Sequence, residues 1–299
     1  MSTWQKWVEA GGVVLADGAT GTMLIAQGLP PGDPPIVWNV ERPDQVQGLH
    51  QAYLEAGARL ILSNTFSGNR FRLAKHHLQG RVVELNQVGV RLAREAVRQA
   101  GGEALVAGDI GPTGGLLAPL GDIGYADAVA AFTEQASTLA AAGADLLWIE
   151  TLSDLEEVQA AIEGARRAAP ALPIIATMTF DTRGRTMMGV TPEQAVTALK
   201  EWGAAAVGAN CGTGPAEVLE VIRKMKAAAP EAVLVAKPNA GAPELVDGRS
   251  VYRADSQAMI SYAVAAAEAG GRLIGACCGS TPDHLKAMAQ ALQAEGLLG

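Results

Sequence analysis

Short runs of aliphatic and β-branched residues recur along the chain, each spaced from the next by a stretch long enough for one helix. They are "VVLADGA" (13–19), "RLILSNTF" (59–66), "ALVAGDIGP" (104–112), "DLLWIET" (145–151), "PIIATMTF" (173–180), "AAVGANC" (205–211), "VLVAKPNA" (233–240) and "RLIGACCG" (272–279). Each begins apolar and ends at glycine or a polar residue. Runs that are continuously apolar, rather than alternating, predict strands covered on both faces. Between them the apolar positions repeat at helical spacing. The pattern predicts helices over 44–56, 82–99, 126–142, 154–168, 192–201, 215–228, 255–269 and 282–295. "TPEQA" (191–195) and "STPDH" (280–284) place Thr at a cap and Pro at the first helical position.

Eight strands alternating with eight helices predict a parallel sheet, and eight units suggest closure into a (β/α)8 TIM barrel. An open doubly wound sheet is the competitor. Its phosphate-binding first turn would read G-x-G-x-x-G, and "DGATGT" (17–22) does not. The opening "STWQKWVEAGG" reads as a helix able to plug the bottom of the barrel. Two long loops stand out, 20–43 (with Trp38) and 110–125. No linker or composition shift divides the chain, so residues 1–299 are expected to form a single barrel domain.

Composition narrows the function. The 299 residues are 49% apolar and 18% charged, with a net charge of −8. An acidic chain is a poor partner for nucleic acid, whose phosphates need a basic surface. No apolar run reaches membrane-spanning length, and the N-terminus does not read as a signal peptide. Three cysteines do not make a disulfide framework. A reducing, cytoplasmic location is expected.

In a (β/α)8 barrel the active site lies at the C-terminal ends of the strands. Those ends carry Asp17, Asn64, Asp109, Glu150, Asp181, Asn210 with Cys211, Asn239, and Cys277 with Cys278. All three cysteines of the chain fall there. If they converge, three thiolates and one open position match a catalytic zinc site, and such a site suits a sulfur nucleophile. The plain alternatives are three small buried side chains, or a strained vicinal disulfide. Asp17 and Glu150 could instead cap helices. His50, His76 and His77 show no metal-binding spacing and read as structural or solvated.

The set "LADGATGTML" (15–24), "NTF" (64–66), "GDIGPTG" (108–114), "IET" (149–151), "GANCGTGP" (208–215), "KPNAG" (237–241) and "GACCGSTPDH" (275–284) resembles the homocysteine S-methyltransferase family. "KPNAG" and "GDIGPTG" are most similar to the branch that includes the homocysteine module of cobalamin-dependent methionine synthase. The resemblance implies a zinc ion held by Cys211, Cys277 and Cys278, with the homocysteine thiolate as fourth ligand. It implies that Asp17, Gly18 and Glu150 hold the amino acid's polar end. Asn239 would fill the metal site when substrate is absent, and Asp109 would lie near the reacting centre in an open role.

The activity implied is methyl transfer to homocysteine, forming methionine. Two alternatives stay open. One is a homocysteine-binding subunit that works with a separate corrinoid or methylfolate protein. The other is a methyltransferase for another small thiol or a selenol. The chain ends just past its last helix, so the donor is expected to diffuse in or arrive on a separate protein. Donor candidates are a sulfonium such as S-methylmethionine or S-adenosylmethionine, a methylcorrinoid protein, or a quaternary amine. Loops 20–43, 110–125 and 240–255 are the expected donor-side walls. A cationic donor would call for an aromatic cage, with Trp38, Trp148 and Tyr125 as candidates.

Overall fold

Each of the eight apolar runs contains a strand in the computed structural model, which describes residues 3–246 and 249–299. The strands are β1 (Val14–Leu15), β2 (Leu60–Leu62), β3 (Leu105–Ile110), β4 (Leu146–Leu152), β5 (Ile174–Met178), β6 (Ala206–Cys211), β7 (Leu234–Pro238) and, after a hairpin, β10 (Gly271–Ile274). They pair in parallel in the order β1-β10-β7-β6-β5-β4-β3-β2. A bridge from Ala16 to Leu60 brings the two edges together, with Arg59 N–H donating to Leu15 O at 2.8 Å and Asp17 N–H to Leu60 O at 3.0 Å. The result is the expected (β/α)8 TIM barrel.

Side-chain parity explains what the strands do. Leu60, Leu62, Leu105, Ala107, Leu146 and Trp148 meet inside the barrel. Their neighbours Ile61, Val106, Leu147 and Ile149 face outward into the layer packed with the helices. Alternation within an all-apolar run is what a strand buried on both faces requires. Continuing the inward series by two residues reaches Asn64, Asp109 and Glu150, so the polar layer sits directly above the apolar one.

The helix Thr3–Ala10 closes the other end. Trp4 and Trp7 join the interior cluster, Arg59 lies over the Trp7 ring at 5.5 Å, and Arg272 Nε donates to Gly12 O at 2.9 Å. The eight expected helices are all present, with each boundary within one residue of its expected place. Thr191 and Thr281 both form capping boxes, with Gln194 and His284 respectively.

The stretches read as loops hold more structure than their sequence suggested. Residues 20–43 contain short helices at Gly21–Ala26 and Trp38–Glu41. Another short helix, Arg70–Ala74, follows β2. A two-stranded antiparallel hairpin, β8 (Glu244–Val246) with β9 (Arg249–Val251), follows β7. These pieces are too short for periodicity to reveal and are held by contacts with the rest of the fold.

Candidate active site

Cys211 ends β6, and Cys277 and Cys278 follow β10. In the sheet these strands are separated by β7, whose end ties both together. Asn239 N–H donates to Cys211 O at 3.2 Å, Cys277 N–H to Pro238 O at 2.7 Å, and Ala240 N–H to Cys278 O at 2.9 Å. The three sulfurs thereby come within 4.8 Å of one another, with Cys211 Sγ and Cys277 Sγ at 3.0 Å. Tetrahedral zinc with Zn–S bonds near 2.3 Å needs sulfurs about 3.8 Å apart, so small rotamer changes would fit the ion. Three soft donors on one rim are the chemistry such a metal asks for.

Asn210 organises this corner. Its Oδ1 accepts from Thr151 N–H at 2.9 Å and from the Thr177 hydroxyl at 2.8 Å. Its Nδ2 donates to Thr151 Oγ1 at 2.7 Å and to Cys211 Sγ at 3.5 Å. Thr151 and Cys211 both have positive φ, 66° and 58°, a conformation a β-branched residue rarely takes. The hydrogen bonds of Asn210 hold that strained pair where the sulfur is aimed. The Tyr252 ring, next to the hairpin, packs on Gly279 of the cysteine loop and leaves no room there for an added Cβ.

The thiols perturb one another. Hydrogen bonding from Cys211 and Cys277 pulls Cys278 down. Hydrogen bonding to Cys277 pushes Cys211 up. Cys277 gains a lowering hydrogen bond from Cys211, yet its bond to Cys278 and its burial push it up to about 12.

Beside the sulfurs lies a buried charge cluster. Lys237 Nζ sits 2.9 Å from Asp17 Oδ1 and 5.2 Å above the Trp148 ring. Asp17 Oδ2 accepts from Leu62 N–H at 2.8 Å, continuing the β1–β2 seam through a side chain. Burial raises Asp17, against the pull of Lys237 and Leu62. Burial also pulls the Lys237 ammonium down, but Asp17 and Glu150 together hold it above its ordinary value. Asp109 and Glu150 are different. Neither carboxylate has a protein hydrogen bond among the described residues, and Asp109 Oδ1 and Glu150 Oε2 are buried and unpartnered. Burial, then Glu150, drives Asp109 well up. Burial pushes Glu150 up to about 8, with Lys237 opposing. One ammonium sits among three carboxyl groups, and a second cation placed there would draw Asp109 and Glu150 into their ionised form.

These groups open into a cavity of about 670 Å³. Gly18, Asp109, Glu150, Lys237 and the three cysteines line its floor. Gly18 must be glycine, because a Cβ would lie 2.6 Å from Ser280 Oγ and 2.9 Å from Tyr53 Cε1. Ser280 Oγ in turn accepts Ala19 N–H at 3.0 Å, fastening the first turn to the cysteine loop. Asn64 Nδ2 reaches Pro35 O at 2.8 Å and Asn39 Oδ1 at 2.9 Å, pinning loop 20–43 over the rim.

Several expectations meet a different geometry. Asp17 does not line the cavity, because both its oxygens are spent on Lys237 and Leu62. Asn239 is buried outside the lining, with Nδ2 bonded to Gly212 O at 2.7 Å and Oδ1 unpartnered. Asp181 is exposed and bonds only the adjacent Thr182. Of the three expected walls, the loop 20–43 contributes Thr20, Gly21 and Gly32–Pro35 to the lining, while 110–125 and the described part of 240–255 contribute none. Arg72, Lys75 and His76 line it instead. Trp148 lies in the barrel interior, Trp38 packs in the core, and Tyr125 bonds Glu163. Among the described residues Phe66 and the His76 imidazole are the aromatic rings of the lining, and none of the three expected aromatics is among them. Lys237 was missed by the reading of strand ends. Its parity was legible, two residues after Val235 on the inward series of β7.

The comparisons with known proteins agree with this geometry. The homocysteine S-methyltransferase family profile matches residues 14–292. The methionine synthases of Mycobacterium tuberculosis and Mycobacterium leprae are 35% and 34% identical over 94% of this chain. The chain spans only 24% of the length of each. The metallated form of the homocysteine methyltransferase MmuM from Escherichia coli superposes with a TM-score of 0.81 at 25% identity, covering 97% of this chain and 99% of that one. Its oxidised form superposes with a TM-score of 0.77 at 27% identity.

Proposed function

The chain belongs to the homocysteine S-methyltransferase family, and on that footing we propose that it transfers a methyl group to the thiolate of L-homocysteine, forming methionine, with a zinc ion as cofactor. Cys211, Cys277 and Cys278 would hold the ion, which when bound supplies a Lewis acid that keeps a substrate thiol ionised at neutral pH. The observation that carries this reading is the convergence of the chain's three cysteines on one cavity floor beside two buried, unpartnered carboxylates.

The chain's own residues divide the work. Glu150 and Asp109 receive the substrate's ammonium, which satisfies their free oxygens and supplies the missing positive charge. The Gly18–Ala19 turn offers its backbone to the substrate carboxylate. Asp17 acts one step back, by holding Lys237 and the β1–β2 seam. The substrate sulfur then faces the open cavity. A new S–C bond forms as the donor's bond to its methyl carbon breaks, and the electron pair leaves with the donor. Holding acceptor and donor in line in a closed pocket is the main contribution of the fold.

A second reading is favoured by one observation. Ile25, Leu116, Leu120, Met187, Leu245 and Val246 are exposed, and each lies in a segment that follows a strand's C-terminal end. Exposed apolar side chains on several of these segments suit docking of a methyl-carrying protein, such as a corrinoid protein.

The test is to load the purified, reduced chain with zinc and count metal per chain. Methionine formation from homocysteine is then followed with S-methylmethionine, and separately with a methylcorrinoid protein. About one zinc per chain and turnover with either donor is expected, and the productive donor decides between the readings. Protein that binds no zinc, or binds it without affinity for homocysteine, would refute both.

A further inference from the structure

The floor of the cavity is taken up by the function proposed above, but its mouth is not. A pocket of about 670 Å³ is large enough for a drug-sized ligand, well beyond one small amino acid. Gly32–Pro35, Phe66, Ser67, Arg72, Lys75 and His76 line the pocket in addition to its floor. In a chain of net charge −8 this corner is cationic.

Arg72 and Lys75 lack the partners that surface cations usually find. Among the described residues Arg72 has no carboxylate in salt-bridge range and no acceptor for its guanidinium. Only its backbone N–H is used, by Asn69 Oδ1 at 2.9 Å. Lys75 Nζ donates to the Gly114 carbonyl and to no carboxylate. Glu157 feels the charge of Arg72, but its Oε1 is bonded by the Thr113 N–H and hydroxyl. Asp33, exposed, lines the same pocket but lies outside salt-bridge range of both cations among the described residues.

The two cations are also held side by side. Both lean on Gly114, where an added Cβ would lie 2.6 Å from Arg72 Nη1 and 2.9 Å from Lys75 Nζ. The segment is fixed in place, since the buried Asn69 donates to Pro112 O at 3.0 Å. Two like charges gathered on one glycine repel each other, and an anion placed between them gains from both.

Resting on the methyltransferase reading, we propose that Arg72 and Lys75 bind an anionic group of the methyl donor, a carboxylate or a phosphate, at the end away from its methyl. The donor's methyl points down to the cysteines while its tail is held at the mouth. This accounts for a wall that lacks Trp38, Trp148 and Tyr125: the donor is oriented by its tail, and no aromatic cage is needed around its reacting centre.

Three probes test the proposal by calorimetric binding to the zinc-loaded protein, without need of turnover. S-methylmethionine carries a carboxylate, trimethylsulfonium carries the sulfonium alone, and inorganic pyrophosphate carries phosphate alone. At least one anionic probe should bind. Arg72→Gln and Lys75→Gln should each weaken it about ten- to a hundred-fold, the scale of a hydrogen bond to a charged group. Arg72→Lys should recover part of the loss, and trimethylsulfonium should not distinguish the variants from the native protein. The anion that responds identifies the tail as carboxylate or phosphate. Unchanged affinity of both anions in the Gln variants, or no binding of either to the native chain, would overturn the proposal. Zinc content and homocysteine affinity are measured on the same samples. If those fail in the native chain, the methyltransferase reading falls; if they hold while the anions do not respond, only the tail site falls.

Discussion

Lys237 Nζ and Asp17 Oδ1 lie 2.9 Å apart across 220 positions of sequence, with side chains 3% and 1% exposed. The pair joins β7 to the end of β1 beneath the cavity, and Asp17 carries the contact on to β2 through Leu62 N–H. Breaking a buried pair leaves the surviving charge without compensation. Lys237→Met should therefore cost about 3–5 kcal/mol in denaturant unfolding. Asp17→Asn should cost less, because an amide oxygen can still accept from Leu62 N–H. A Lys237→Met protein within about 1 kcal/mol of the native one, the range of an exposed pair, would show that the two groups do not depend on each other.

Cys211→Ala, Cys277→Ala and Cys278→Ala should each abolish zinc retention and methyl transfer while the far-ultraviolet spectrum and unfolding transition stay near native. The sulfurs stand on the functional rim, whereas barrel stability resides in the apolar layers below it. Metal analysis after gel filtration gives the answer. A single variant that keeps one zinc per chain removes that residue from the site.

Glu150→Gln should weaken homocysteine binding by about 1.5–3 kcal/mol, the range for a hydrogen bond to a charged group, with zinc content unchanged. The substitution removes charge and preserves volume, so a stable protein is expected. Equal affinity in the two proteins would direct attention to Asp109 as the main ammonium partner.

Homocysteine affinity should rise with pH toward 8. In the free protein Glu150 titrates near 8, so below that pH its carboxyl is mostly neutral and must lose a proton to pair with an ammonium. The substrate thiol, with an ordinary pKa of about 8.5, loses one as well. Both effects have the same sign. Binding at pH 7 should release more than one proton, drawn from the thiol, from Glu150 and from Asp109, whose pKa is also raised, and Glu150→Gln should lower the count by about one. Calorimetry in buffers of different ionisation enthalpy reads the number directly, and proton uptake would contradict the scheme.

His50 provides a stability test away from the site. It is buried in the helix Pro43–Glu55 with Nε2 unpartnered, and burial lowers its pKa to about 4. The unfolded chain, with a pKa near 6.5, binds the proton first. Stability is therefore full above about 6.5 and is lost progressively as pH falls toward 4, by up to about 3 kcal/mol. Unfolding of His50→Gln over that range should show a shallower acid slope, and an identical slope would assign the acid sensitivity to other groups.

The sequence by itself determined the repeating frame. Continuous apolar runs and helical periodicity are local signals, and eight alternations of the two leave few ways to bury every face. From that frame the strand-end positions of Asp109, Glu150 and the three cysteines followed, since their places along β3, β4, β6 and β10 depend only on counting residues. Tertiary structure alone decided the rest. The sulfurs meet because β7 lies between β6 and β10 and ties both ends, a fact of strand order and register. Lys237 meets Asp17, and Asn210 clamps Thr151, because barrel closure brings the ends of different strands to one level. Arg72 and Lys75 reach the mouth because a five-residue helix, too short to announce itself by periodicity, is held by Asn69 against the loop after β3. Periodicity fixes where a side chain points from its own strand or helix. Which other residue it meets is set by contacts between elements far apart in sequence, and no local pattern carries that information.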